Sequence, residues 1–330
     1  MKVILVSDAL TRNSLEYEPD LYIKNITSSL QFGLVSLFDK PDFLLVESAW
    51  QGFSDNWKHK IAAYPDVPRR NNKPLRRLVQ LAKDRGIPTV FWNKEDGVHF
   101  DRFIDSAKLF DHVFTVDENS IPKYKAVMGQ DASVHTLMFA VQPKFHFFKG
   151  FNFKFNRANF VGSYSHHIHQ RRRMWQDAMF HAASKSGLGL TVFDRNSNRK
   201  SENYRYPQMS CMNILPALPY ADTAQVYRDY LVSLNVNTIE YSSTMYSRRL
   251  VEILACGGIA VTNSSLAVLE LFSEYCHVVH TEEEMMELFT RLKHGPSSDD
   301  LAKAEAGARY VAANHTWAQR LAQIAKVIGL

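Results

Sequence analysis

Short apolar runs alternate with amphipathic segments along the whole chain, and the two periods predict an α/β protein with parallel sheets. In the first half, KVILVS (2–7), DFLLVES (42–48), TVFWN (89–93), HVFTVD (112–117) and VHTLMF (134–139) read as strands. Between them, NKPLRRLVQLAKDRG (72–86) and HFDRFIDSAKLF (99–110) carry apolar residues at helical spacing, and the first ends on a glycine stop. KFHFFKGFNFKFNRAN (144–159) breaks this rhythm and reads as an interdomain connector, with an edge strand as the alternative.

A second series of strands follows: ANFVGSY (158–164), LGLTVFD (188–194), VSLNVNT (232–238), GIAVTN (258–263) and HVVHT (277–281). Helices are expected at 169–187, 222–231, across YSRRLVEILACGG (246–258) and at 282–295, and a last helical region closes the chain at 298–330. The expected division is a first Rossmann-like domain over 1–150 and a second over 151–315. A C-terminal helix, 316–330, crosses back to the first. Doubly wound sheets bind ligands at the carboxyl ends of their strands, so the two domains are expected to face a central cleft.

A chain of 330 residues suits two such cores. With 45% hydrophobic and 22% charged residues it has an ordinary globular profile. Its 39 basic and 34 acidic residues leave a charge of +5, which fits an anionic ligand or membrane surface and is too small to argue for nucleic acid. Cys211, Cys256 and Cys276 are widely spaced, which suggests a reducing compartment and no structural zinc. The N-terminal MKVILVSDAL has too short an apolar core for a signal peptide, and no run approaches a membrane span. The expectation is a cytoplasmic protein.

Three segments could carry chemistry. In FVGSY, Gly162 directly after a strand lets backbone approach a ligand, and the following helix offers free N–H groups to phosphate. The RRR run (171–173) reads as a solvated helix face, although one member could reach a diphosphate. His166, His167 and His169 are too crowded, with no nearby carboxylate or thiolate, to suggest a metal. In SSTMYSRRLVE (242–252), a helix start is followed by Arg248, Arg249 and Glu252, spaced to share one side of the helix. They form either a surface salt-bridge cluster or a grip on an anion, and the apolar flank favours the grip. WNKEDGVHFD (92–101) supplies Glu95, Asp96, His99 and Asp101 as general-base and hydrogen-bonding types at a strand end, though a solvated acidic loop would look similar. RRNNKPLRR (69–77) reads as a solvated helix start, with docking on anionic lipid at an inner membrane face, or on an acidic acceptor, as the minority reading.

The string LNVNTIEYSSTMYSRRLVEILACGG (234–258) resembles the signature of CgeB-type proteins, a bacterial group of GT-B-fold glycosyltransferases. The similarity extends to FVGSY, VFDRN (192–196), RYPQ…LPY (205–220), WNKEDGVHFDRF and FTVDENSIPKY (114–124), and so covers most of the chain from residue 89. The resemblance implies that Glu252 binds the ribose of a nucleotide-sugar donor and that Arg249, with Arg248, neutralises the leaving diphosphate without a metal or cofactor. It places Thr244, Met245, Tyr246, Gly162 and Ser163 around the same phosphates, and Leu218 and Tyr220 beside the base. Asp194 and Arg195 match the family's DR pair. Related retaining enzymes carry a glutamate where this chain has Thr244, so inversion with Glu95, Asp96 or His99 as base stays open beside retention. The implied reaction is transfer of a sugar to a glycan, lipid-linked or protein acceptor, in polysaccharide or cell-surface glycan biosynthesis. A nucleotide-sugar epimerase and a non-catalytic coat or assembly protein of the same fold are the competing readings.

Overall fold

The computed structural model describes residues 1–330, which divide into two compact units: Met1–Gln142 with Trp317–Leu330, and Pro143–Thr316. The division falls at Gln142, ahead of the Phe-rich stretch rather than within it.

In the first unit the chain runs β1 (Lys2–Val6), α1 (Ala9–Leu15), β2 (Tyr22–Asn25), α2 (Ser29–Phe38), β3 (Phe43–Glu47), α3 (Lys73–Asp84), β4 (Thr89–Asn93), α4 (Asp96–Ala107), β5 (His112–Thr115), α5 (Ile121–Met128) and β6 (Ser133–Thr136). The strands form one parallel sheet in the order β2-β1-β3-β4-β5-β6. Strands β3 and β4 are buried at every position, which is why both read as unbroken apolar runs. β2 alternates exposed and half-buried residues at the sheet edge, and that is why its YIKN gave no signal. A last helix, α12 (Trp317–Ile328), belongs to this unit. Trp317 meets Trp92 edge-on at 5.3 Å, and Arg320 Nε donates to the Met138 carbonyl at 2.9 Å.

The second unit runs β7 (Phe155–Gly162), α6 (Gln170–Lys185), β8 (Leu190–Asp194), β9 (Met212–Pro216), α7 (Thr223–Asp229), β10 (Tyr230–Asn235), α8 (Arg248–Ala255), β11 (Ile259–Asn263), α9 (Leu266–Leu271), β12 (His277–Val279), α10 (Glu282–Leu292) and α11 (Ser298–Asn314). Its parallel order, β12-β11-β10-β7-β8-β9, turns around between β7 and β10. The stretch expected to be a connector or edge strand therefore supplies a central strand. Polar Asn156 and Arg157 disguise it, and buried Asn159 is held by the Val232 carbonyl and Ser233 Oγ of β10. The expected helical region 298–330 breaks at His315 into α11 and α12.

Helix α8 is the inner helix of the second unit. Leu250, Val251, Ile253 and Leu254 are fully buried, each contributing about 1.5–3 kcal/mol of transfer free energy. It ends at Gly257, whose φ of +72° demands glycine and whose missing side chain leaves room for the Phe148 ring. No helix is long and apolar enough to cross a membrane.

Candidate functional site

In the second unit the chemistry collects where the sheet order reverses, at the carboxyl ends of β7 and β10. β7 ends at Gly162, and β8 ends beside it at Asp194, paired with Gly162 in register. The Arg195 N–H then donates to the Gly162 carbonyl at 2.7 Å, tying the two strand ends together. Asp194 is buried, accepts the Asn196 N–H at 2.8 Å, and is shifted upward in pKa, mainly by burial.

Arg249 comes in from the first turn of α8. Its Nε donates to the Val161 carbonyl at 2.5 Å and its guanidinium lies 4.4 Å over the Phe160 ring. A Cβ on Gly162 would stand 2.6 Å from Arg249 Nη2, so glycine here makes room for the guanidinium. Arg249 Nη1 is buried without a hydrogen-bond partner. Arg172 of α6 reaches the same place: its Nη2 donates to the Ser163 carbonyl at 3.3 Å, and its buried Nε has no partner. Burial, with the charges of Arg249 and Arg195 beside it, pulls the Arg172 pKa down to about 10. Tyr206, buried against Phe160, has a hydroxyl that is also unpartnered. Two guanidinium groups and a phenol thus converge with buried donors to spare. Cations at a helix N-terminus oppose the macrodipole, and a bound anion would offset that cost.

Arg248 and Glu252 do something different. Arg248 Nε donates to Glu252 Oε1 at 2.8 Å, an i,i+4 pair in which the Glu252 side chain is 6% exposed and Arg248 27%. Adjacent helical residues point about 100° apart, so Arg249 turns to β7 while Arg248 turns away from it to Glu252. The expectation that all three share one side is therefore corrected: the salt bridge exists, but it is buried. The Arg248 guanidinium sits 5.8 Å from the Tyr220 ring centroid, and Tyr220 lies 5.1 Å from buried His146. Burial lowers the His146 pKa to about 4; its Nε2 bonds Thr223 Oγ1 at 3.0 Å and its Nδ1 has no partner. Leu218 packs on the small cluster of Phe193, Val226 and Tyr230.

The loop before α8 is fixed by amides. The Asn235 and Asn237 side chains both donate to Thr262 Oγ1, the Asn237 N–H donates to Asn263 Oδ1 at 2.8 Å, and the Ser247 N–H to Asn237 Oδ1 at 2.9 Å. The Thr244 and Met245 N–H groups, expected to face phosphate, donate to Ser242 Oγ. The Tyr246 side chain is core: its hydroxyl meets His315 Nδ1 at 2.9 Å and its ring packs on Phe272. In the histidine loop, His166 Nε2 pairs with the Arg205 carbonyl and His167 Nδ1 with Ser165 Oγ. No group of three or more His, Cys, Asp and Glu side chains is arranged to hold a metal ion.

In the first unit, α4 starts earlier than its periodicity predicts and is kinked at His99, with Asp96 in the first turn. Asp96 is buried and accepts from Asn93 Nδ2 at 2.5 Å and the Tyr124 hydroxyl at 2.8 Å. Burial, reinforced by Asp117, raises its pKa to about 7 against the pull of hydrogen bonds from Thr115 and Tyr124. Glu95 is half-buried at the N-cap position. His99 is half-buried, meets Trp50 edge-on at 5.4 Å, and is lowered in pKa by burial and then by Arg102. One polar group escaped the sequence reading. At the β1/β3 turnaround, Asp8 accepts the N–H groups of Trp50, Gln51 and Gly52, and buried Glu47 accepts Lys94 Nζ at 3.0 Å. The available signal was an acid closing the otherwise apolar FLLVE.

The raised Asp96 pKa has a definite sign in the stability of the first unit. A carboxyl whose folded pKa exceeds its unfolded value stabilises fully below the unfolded value, near 4, and loses that contribution as pH rises through about 7. Urea unfolding followed at pH 5 and pH 8 should show lower stability at pH 8, by up to a few kcal/mol. In Asp96→Asn that difference should shrink; an unchanged difference would assign it to other groups.

A family model described as "Glycosyl transferase-like" matches residues 201–326. No curated protein sequence matches the chain. Solved structures do. An alpha-glucosyltransferase in complex with UDP and a DNA containing an HMU base aligns over 100% of this chain and 99% of its own, with TM-score 0.66 and 11% identity. The T4 phage BGT in complex with UDP and Mn2+ aligns over 100% of both chains with TM-score 0.61 and 14% identity. HepE of Anabaena in complex with UDP does so with TM-score 0.61 and 11% identity. The two six-stranded parallel sheets and these neighbours give the chain a two-domain α/β GT-B fold.

Proposed function

We propose that the chain is a glycosyltransferase that takes a sugar from a nucleotide-diphosphate donor held by its second unit. The observation that carries this reading is the convergence of Arg249 and Arg172 beside Gly162, with Arg249 Nη1, Arg172 Nε and the Tyr206 hydroxyl buried and unpartnered and the charge of Arg195 nearby. A diphosphate supplies acceptor oxygens for these donors and charge for the guanidinium groups. Because the charge on the leaving diphosphate grows during transfer, preorganised donors there stabilise the transition state more than the ground state. Glu252, held by Arg248, receives the ribose hydroxyls, and Tyr220 flanks the base. The match to a glycosyl transferase-like family model and the fold shared with UDP-bound transferases support the same reading. The CgeB-type resemblance fits within it, with a glycan, lipid-linked or protein acceptor.

Acceptor activation falls to the first unit. Among its candidates Asp96 is enclosed and doubly bonded, which suits a positioning role for the turn after β4. His99, with its pKa lowered by burial, and Glu95, both half-buried, are the groups suited to take a proton from an acceptor hydroxyl. If so, Glu95→Gln or His99→Ala lowers kcat about 10²–10⁴-fold with little change in donor affinity. The test of the whole reading is thermal unfolding with UDP, GDP, ADP and their sugar conjugates. One series should raise the transition temperature in proportion to ln concentration. No shift with any nucleotide diphosphate or nucleotide sugar would overturn it.

A further inference from the structure

The first unit exposes a helix face that its own sheet leaves uncovered. Helix α2, SLQFGLVSLF, contains no charged residue. It turns Phe32 and Ser36 inward, while Leu30, Leu34, Leu37 and Phe38 face outward at 75, 57, 67 and 89% exposure. These four follow the i, i+4, i+7, i+8 spacing of one helical stripe, a contiguous apolar surface rather than scattered residues.

Beside it lies a cationic surface. Helix α3 packs on α2 through Leu81 against Gly33 and through Arg85, which donates to the Gly33 carbonyl at 2.8 Å. α3 buries Leu75, Leu78, Val79 and Ala82, so helical spacing turns Lys73, Arg76 and Arg77 to the same outward side as the α2 stripe. With Arg69 and Arg70 just ahead they make five cations in nine residues. None forms an ion pair, and the salt bridge of α3 is Lys83–Asp111 near its other end. In a parallel sheet the helices begin at the carboxyl ends of the strands. Leu30 and this basic cluster therefore lie at the end of the unit that carries Asp8 and Lys94.

We infer that α2 and the start of α3 dock the protein on an anionic lipid surface, the stripe entering the headgroup region and the five cations meeting lipid phosphates. Charge complementarity selects this occupant. A second copy packed stripe to stripe would leave the basic clusters without an acidic counterpart, since neither α2 nor α3 before Asp84 has an acidic residue to offset them. The inference concerns attachment and is independent of the transfer reaction.

The test is co-sedimentation of the full chain with phosphatidylcholine vesicles containing or lacking phosphatidylglycerol, beside Leu34→Ser/Phe38→Ser and Arg76→Ser/Arg77→Ser. All four residues are exposed, and thermal unfolding checks that the variants fold. Wild type should bind the anionic vesicles and not the neutral ones, and each double variant should bind at least about tenfold more weakly. Absence of vesicle binding, or binding that survives the Leu34/Phe38 change, overturns the inference. So does a dimer in sedimentation velocity that Leu34→Ser/Phe38→Ser dissolves, or retention of duplex DNA in place of vesicles. Nucleotide binding is read separately by thermal shift, so failure of one does not decide the other.

Discussion

Arg249→Ala is expected to lower donor turnover by at least about 10²–10³-fold while the protein stays folded. The magnitude is that of removing one preorganised donor from developing charge in a water-poor site. The fold should survive because burial disfavours this guanidinium: its pKa is shifted down, with burial the largest cause. Removing it also relieves repulsion on Arg172, and what is lost is one hydrogen bond to the Val161 carbonyl and the packing on Phe160. Arg249→Lys should not restore activity, since an ammonium gathers its three donors on one nitrogen and cannot span from the Val161 carbonyl to a separate acceptor as the planar guanidinium fork does. The measurements are steady-state turnover, calorimetric affinity for the nucleoside diphosphate and thermal unfolding. Turnover within threefold of wild type would remove Arg249 from the mechanism.

Glu252→Ala should behave differently, losing stability as well as donor binding. It leaves Arg248 next to a vacated, nearly buried site, and breaking such a pair by deleting one partner costs about 3–5 kcal/mol when fully buried. Arg248 keeps some contact with water, so about 2–3 kcal/mol is the better expectation, a fall of roughly 4–12 °C in the transition of this unit. Pairing it with Arg248→Met separates the two effects. The double variant should regain most of the stability, because no charge is left unpaired, yet remain unable to bind donor. A double variant that regains donor affinity along with stability would show that Glu252 acts only as the partner of Arg248.

How far the site could be read from the sequence depended on the kind of signal. Gly162, Arg249 and Glu252 stood in local patterns: a glycine closing an apolar strand, and charges at the mouth of an apolar helix. Arg172 did not, because three consecutive arginines cover most of a helix turn and only packing decides which is enclosed. Arg171 pairs with Glu240, Arg173 turns to the His166 carbonyl, and Arg172 is left facing β7. Tyr206 sits in a segment with no periodic pattern, and the Asp8–Glu47–Lys94 group joins residues as far as 86 positions apart. Tyr246, conversely, is placed at the phosphates by the family resemblance, and its side chain lies in the core.

The sequence by itself determined the two doubly wound sheets. Their buried central strands must be apolar at nearly every position, and that requirement is local and visible. It also marked Arg248, Arg249 and Glu252 as either a salt-bridge cluster or a grip on an anion, because charge at the start of so apolar a helix is unusual. Only the tertiary structure decided how the charges divide. The twist of α8 sends Arg248 to Glu252 and Arg249 to the end of β7, where α6 and β8 bring Arg172 and Arg195. Which charge is paired and which is left to bind follows from distances across the sheet, and spacing along the chain does not contain them.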